Sequence, residues 1–202
     1  MSQRKAASAL DLVAATEVAA AHAEAARVGD ALAHAAYARL VIESDRLYRL
    51  ITSGSRPIKV CFSRCPRPYN SATEMIRSVR RERLLEVSTA ARERDRLHPT
   101  MSCEMGGTYD RFRAVHDVVG HCCLGVGFDR QSEYAAWRFQ ERFHSRLAGL
   151  ALATELHGEH SVRWTTGDLP EHKAALLDER LIRRSRVGRR WDSAQPGRCI
   201  SS

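Results

Sequence analysis

At 202 residues, with 44% hydrophobic and 28% charged content, the chain has the size and composition of one soluble globular domain, or of one domain with an appended arm. No apolar run is long enough to span a bilayer, and Asp11, Glu17, His22 and Glu24 interrupt the Ala-rich N-terminus, a poor signal-peptide core; a cytoplasmic protein is expected. The net charge is +8, much of it in "ERLIRRSRVGRRWDSAQPGR", which lacks the interleaved aromatics of a base-stacking surface and reads as a solvated basic tail, with nucleic acid the less favoured partner.

Residues 6–29 are Ala-rich with periodic Leu and Val and stop at Gly29-Asp30, which predicts a helix. A second amphipathic helix follows over 31–52 and is broken by "TSGSRP". These two make an arm, residues 1–54, whose apolar stripe suits packing on the rest of the chain or a homodimer interface. "IKVCF" (58–62) is a short strand candidate. Ser71 with Glu74 forms a capping box, so a helix starts there, and "LLEVS" (84–88) turns extended. Asp110 is placed to cap the helix that carries "RFRAVHDVVGHCC", which ends near Gly125–Gly127. Further helices are predicted over 131–144, over 146–156, and from Pro170 through "EHKAALLDERLIRR". The expected fold is mainly α, a single helical domain with little strand, divided into the arm, a core over 55–180 and a basic tail over 181–202.

The six cysteines do not suggest a disulfide framework: Cys122 and Cys123 are adjacent, and Cys61 and Cys65 have no second pair at zinc-ribbon spacing. Thiols in a reducing compartment are expected.

His116 and His121 hold the chemical interest. Five residues on a regular α-helix turn through about 500°, so the two rings diverge by roughly 140° and do not chelate. A distorted turn removes the difficulty, and Gly120 is the residue that permits one. "GLALATELHGEHS" places Glu155 directly after a strongly apolar run, where a buried carboxylate needs a partner. That partner is either an arginine such as Arg113 or Arg138, or a metal shared with the histidines. Two imidazoles and one carboxylate make the facial triad of non-haem iron oxygenases. His157, Glu159, His160 and Cys122 remain alternative ligands, and Asp117 and Glu133 are candidates to hold the free N–H groups of the ligating histidines. Phe128 and Trp137 are candidate pocket walls.

"HDVVGHC" (His116–Cys122) resembles the iron-binding segment of the aromatic amino acid hydroxylases, the phenylalanine hydroxylase group. The resemblance implies Fe(II) held by His116 and His121, with Glu155 of "ATELHG" as the third ligand. That family uses a pterin, but its pterin-binding segment has no counterpart here and its catalytic domain is longer than this chain. "FRAVHDVVGH…GFD…SEYAAW…ATELHGEHS" is also similar to a helical domain of actinobacterial and phage- or plasmid-encoded proteins, over about Phe112–Leu177. Here too Glu155 matches the Glu of the motif, and Glu159 stands where a Gln is usual.

The expectation is therefore a non-haem Fe(II) oxygenase or hydroxylase acting with O2 on a small molecule through His116, His121 and Glu155. Its runner-up is a zinc hydrolase on the same ligands, with Glu159 or Glu133 as general base. A third reading is a non-catalytic module whose metal is structural, completed by His160 or Cys122, and whose tail binds a partner.

Overall fold

The computed structural model describes residues 11–89 and 97–185. Among the described residues the protein is mainly α-helical, with two short strands. The first helix, expected over 6–29, covers 12–24 among the described residues, and residues 6–10 lie outside them. Asp11 accepts from the amides of Val13 and Ala14 to open α1 (Leu12–Glu24), and Asp30 accepts from Ala33 to open α2 (Ala31–Ser53). The Ala-rich stretch is part of the core rather than an appendage: Ala15, Val18, Ala36, Tyr37 and Leu40 are fully buried. α2 packs on α6 (Arg146–Leu152) and on α4 (Thr108–Val115), while α1 packs on α7 (Glu159–Thr166). Alanines at these contacts (Ala33, Ala36, Ala148, Ala151) let the helix axes approach closely.

β1 (Lys59–Ser63) and β2 (Leu84–Ser88) pair in parallel, Lys59 opposite Leu84. Their connection is α3 (Ala72–Arg77), opened by Ser71 as expected, with the acidic half of the box reaching the amide of Asn70. Leu85 and Val87 of β2 face Val115, Val118 and Val119 in a second apolar cluster. The histidine-bearing segment thus lies between this cluster and the larger one built around Tyr37, Trp137 and Leu152.

Two expectations at helix ends are corrected. Asp110 does not cap α4, which begins at Thr108 after Gly107; it is buried inside the first turn, where its Oδ2 accepts from the Gly106 amide at 2.8 Å. The long helix expected from Pro170 is limited to α8 (Glu179–Arg184), opened by Asp178. Residues 171–177 instead lie extended, because their backbone pairs elsewhere: the Ala174 amide donates to the Arg27 carbonyl and the Gly29 amide to the Ala174 carbonyl, both at 2.8 Å. Lys173 fixes this segment by donating from Nζ to the carbonyls of Ala23 and Ala25 at the end of α1. The basic tail beyond Ser185 lies outside the described residues. Among the described residues no helix is long and apolar enough to cross a membrane.

Candidate metal centre

α4 runs directly into a wide turn, His116–Cys122, whose hydrogen bonds close i to i+5; the Cys123 amide donates to the Val118 carbonyl. This is the distortion the spacing requires. Where an α-helix splays residues five apart, the wide turn stacks them, and His116 Nε2 lies 3.2 Å from His121 Nε2. Gly120 permits it by lacking a side chain, with no unusual torsion: a Cβ there would stand 3.0 Å from the Ala136 Cβ and 3.1 Å from His116 Nδ1. α5 (Arg130–Gln140) therefore packs flush on the turn.

α5 supplies the carboxylate. Glu133 Oε2 lies 3.2 Å from His116 Nε2 and 3.3 Å from His121 Nε2. Both histidines and the glutamate are buried. Three ligand atoms 3.2–3.3 Å apart fit one cation: at about 2.0–2.1 Å from each, the angles at the ion are about 100°, between octahedral and tetrahedral. Two turns along α5 from Glu133, Gln140 is fully buried and its Oε1 takes the Nδ1–H of His116 at 2.9 Å, leaving Nε2 of that ring bare. His160 Nδ1 stands 3.6 Å from Glu133 Oε2.

The charges are consistent with a site that attracts a cation. Burial pulls the Glu133 carboxyl up, but His160, His116 and His121 hold it well below the usual carboxylate range. Burial disfavours the imidazolium of His121, and Glu133 more than offsets this and raises its pKa. Burial pushes His160 down to about 4, so its ring is neutral and offers a lone pair.

Glu155, the carboxylate that the motif resemblance pairs with His116 and His121, is not the one the structure brings to them. It lies on a second wide turn, Ala153–Gly158, between α6 and α7. Its Oε1 accepts from the Tyr37 hydroxyl at 2.7 Å and faces His98 Nε2 at 3.0 Å. Its oxygen groups with ligand atoms of Glu159 and His172, all within 4.8 Å of one another. Among the described residues there are thus two His/Glu groups that could hold a metal. One cavity of about 500 Å³ is lined by residues of both, His116, His121 and Glu133 of the first and Glu159 and His172 of the second.

Other expected residues fall into place. Asp117 lines the cavity, and burial raises its carboxyl against the pull of His121, His116 and Arg113; Gln140, not Asp117, holds His116. Phe128 walls the cavity, its ring edge-on to His121 at 5.0 Å. Trp137 does not: it is fully buried and stacks on His157 at 4.5 Å. That stacking, with the contact from His157 Nε2 to Ser185 Oγ at 2.8 Å, takes His157 out of the ligand candidates. Cys122 is buried in the apolar cluster beside β2 and belongs to neither group. Gln140, His172, His98 and Tyr37 escaped the sequence reading. Only Gln140 carried a signal, its two-turn spacing from Glu133 on one helix face.

Compared with protein-family models, curated proteins and solved structures, the chain matches none of them.

Proposed function

We propose that the protein is a metal-dependent enzyme in which His116, His121 and Glu133 hold Fe(II), and that it oxidises a small molecule bound in the adjoining cavity with O2. One observation carries this reading: the two imidazoles and one carboxylate converge at 3.2–3.3 Å on the wall of a cavity of about 500 Å³. A triad of this type leaves coordination positions open toward the cavity, and iron bound there supplies O2 activation. The motif resemblance supports the same metal, with Glu133 in the place given to Glu155.

The chain's own residues supply the rest. Gln140 orients His116 and keeps its proton on Nδ1. Phe128 and Tyr109 present ring surface to the cavity, and Arg67, Arg113 and Arg163 give it cationic side chains suited to a substrate bearing a carboxylate or phosphate. For hydroxylation, one oxygen atom enters a C–H bond and the other leaves as water. Two electrons and two protons then come from a reducing organic cosubstrate, a pterin or another of that class.

The test is metal content and O2 uptake of untagged protein after anaerobic Fe(II) loading. Stoichiometric iron that is lost in His121→Ala and Glu133→Gln, with reductant-dependent O2 consumption in the wild type alone, is the expected result. Iron retained by Glu133→Gln would overturn the ligand assignment.

One feature favours a second reading, a zinc hydrolase. Glu159 faces the same cavity, and burial together with the charge of Glu155 raises its carboxyl, as a general base requires. Zinc content with hydrolysis independent of O2 would replace the first reading with this one.

A further inference from the structure

The second group reaches the cavity through Glu159 and His172 and shares no ligand with the first. Its anchor is Glu155, 3% exposed. The amides of Thr100 and Met101 both donate to His98 Nδ1, at 3.0 and 2.9 Å, so that nitrogen carries the lone pair and Nε2 the proton. His98 therefore donates to Glu155 Oε1, and the single hydroxyl proton of Tyr37 is shared between that oxygen at 2.7 Å and the Lys173 carbonyl at 2.6 Å. One oxygen of Glu155 is thereby held in place. The other, Oε2, is buried and has no hydrogen-bond partner among the described residues. A carboxylate fixed through one oxygen by an imidazole and a phenol, with its second oxygen bare, has the form of a metal ligand with its outer support already built.

Glu159 lies one turn beyond Glu155, on the same face, and His172 Nδ1 reaches Glu159 Oε1 at 2.7 Å. Two carboxylates with little access to water thus stand together. The nearby cations are engaged elsewhere: Arg113 donates from Nη1 to the Ser88 carbonyl, and Lys173 donates from Nζ to the end of α1. Among the described residues neither forms an ion pair with Glu155 or Glu159. The close partners of the two carboxylates are imidazoles, His98 at Glu155 and His172 at Glu159, and a cation bound here would take the place of a proton on His172.

We propose that Glu155, Glu159 and His172 bind a second divalent cation, beside the cavity that the first centre also lines. With two carboxylates to one imidazole it is the harder site and takes an oxygen-preferring ion such as Mn2+, Mg2+ or Fe2+ ahead of a thiophilic one. The neighbours Glu159 and His160 tie the two centres together, one reaching His172 and the other Glu133.

The experiment is Mn2+ titration of the full chain, stripped with chelator, followed by calorimetry and by the electron paramagnetic resonance signal of free Mn2+. Wild type is expected to bind about two Mn2+ per chain, with Glu155→Gln and His121→Ala each binding about one. Glu159→Gln and His172→Ala, at less buried positions, should weaken the second site at least about tenfold and serve as controls if Glu155→Gln fails to fold by circular dichroism. One ion per chain, lost in His121→Ala and kept in Glu159→Gln and His172→Ala, would overturn the second site and leave the first. One ion lost in Glu159→Gln and kept in His121→Ala would sustain the second site and sink the first. No bound ion would overturn both.

Discussion

Gln140 Oε1 accepts from His116 Nδ1 at 2.9 Å, while Glu133, on the same face of α5, presents Oε2 to His116 Nε2 at 3.2 Å. One helix therefore fixes both edges of one ring. If the ring is a metal ligand, Gln140 acts through it, and its loss is felt in affinity as well as in folding. Gln140→Leu keeps the volume and removes the acceptor. Metal affinity measured by chelator competition should fall about 10–100-fold. Metal-free stability should also fall, by about 1–3 kcal/mol, because the buried Nδ1 of His116 loses its acceptor. Unchanged affinity would remove Gln140 from the site.

Gly120 is where the wide turn and α5 touch. Gly120→Ala places a Cβ 3.0 Å from the Ala136 Cβ and 3.1 Å from His116 Nδ1, and neither a helix backbone nor a ring held by Gln140 yields readily. The expected cost is about 1–3 kcal/mol of stability, with weaker metal binding because the ring of His116 is displaced. Ala136→Gly in the same chain relieves one of the two contacts and should recover part of the stability. Calorimetric unfolding of the single and double variants decides the point; a variant as stable as wild type would mean that the turn tolerates a side chain.

Much of the architecture is legible in the residues. Asp11, Asp30, Ser71, Asp129 and Ser145 each accept from amides at the helix starts where short polar side chains precede apolar periodicity. The wide turn is foreshadowed by the conflict between the spacing of His116 and His121 and the α-helical period, with Gly120 to relieve it. Which carboxylate meets the histidines is not legible, because periodicity states which residues share a face and not which faces meet. Glu133, Glu155 and Glu159 all follow apolar or amphipathic runs, and only the packing of α5 on the turn selects Glu133. His98 and His172 lie in segments without regular structure, where neighbours come from tertiary pairing alone. The extended course of 171–177 has the same origin: its local sequence favours helix, and pairing with Arg27 and Gly29 overrides it.

His22 gives the metal-free protein a pH dependence. Burial lowers its pKa to about 4, helped by Lys173 and His172 and opposed by Glu155 and Glu171. Above about pH 6.5 the ring is neutral in both folded and unfolded chains. Between about 6.5 and 4 the unfolded chain takes up a proton that the folded one refuses, so stability falls as pH falls through that window. The full effect of this one group is about 3 kcal/mol, reached near pH 4. Urea unfolding at pH 7 and pH 5 in chelator should show the loss, and His22→Gln should flatten the difference. The same slope in the variant would assign the effect to other groups.

Metal should also act on stability through mass action. An ion that binds only the folded chain stabilises it by about 2.7 kcal/mol when present at a hundred times its dissociation constant. Adding Fe2+ anaerobically, or Mn2+, to stripped protein should therefore raise the thermal midpoint in a concentration-dependent way, and chelator should reverse it. Both His121→Ala and Glu133→Gln should blunt the rise. A midpoint indifferent to every divalent ion would leave the His/Glu groups as buried hydrogen-bond networks.

Glu159→Gln separates those two possibilities by sign. In the stripped protein Glu159 and Glu155 present oxygens within 4.8 Å of each other, and Arg113 and Lys173 point their hydrogen bonds elsewhere. Removing one of two like charges should stabilise that state by about 1–3 kcal/mol, the scale of a charge pair at this separation in partly screened surroundings. The amide oxygen still accepts from His172, but the charge interaction by which Glu159 raises the pKa of that ring is lost and reduces the gain. With metal present the order should reverse, because the cation now offsets both carboxylates and the variant has given up one ligand. Thermal unfolding of wild type and Glu159→Gln, each with chelator and with Mn2+, therefore predicts two curves that cross. If the variant is more stable under both conditions, the paired carboxylates are a cost that no cation offsets. If it is less stable under both, Glu159 serves the fold through His172 and not a metal.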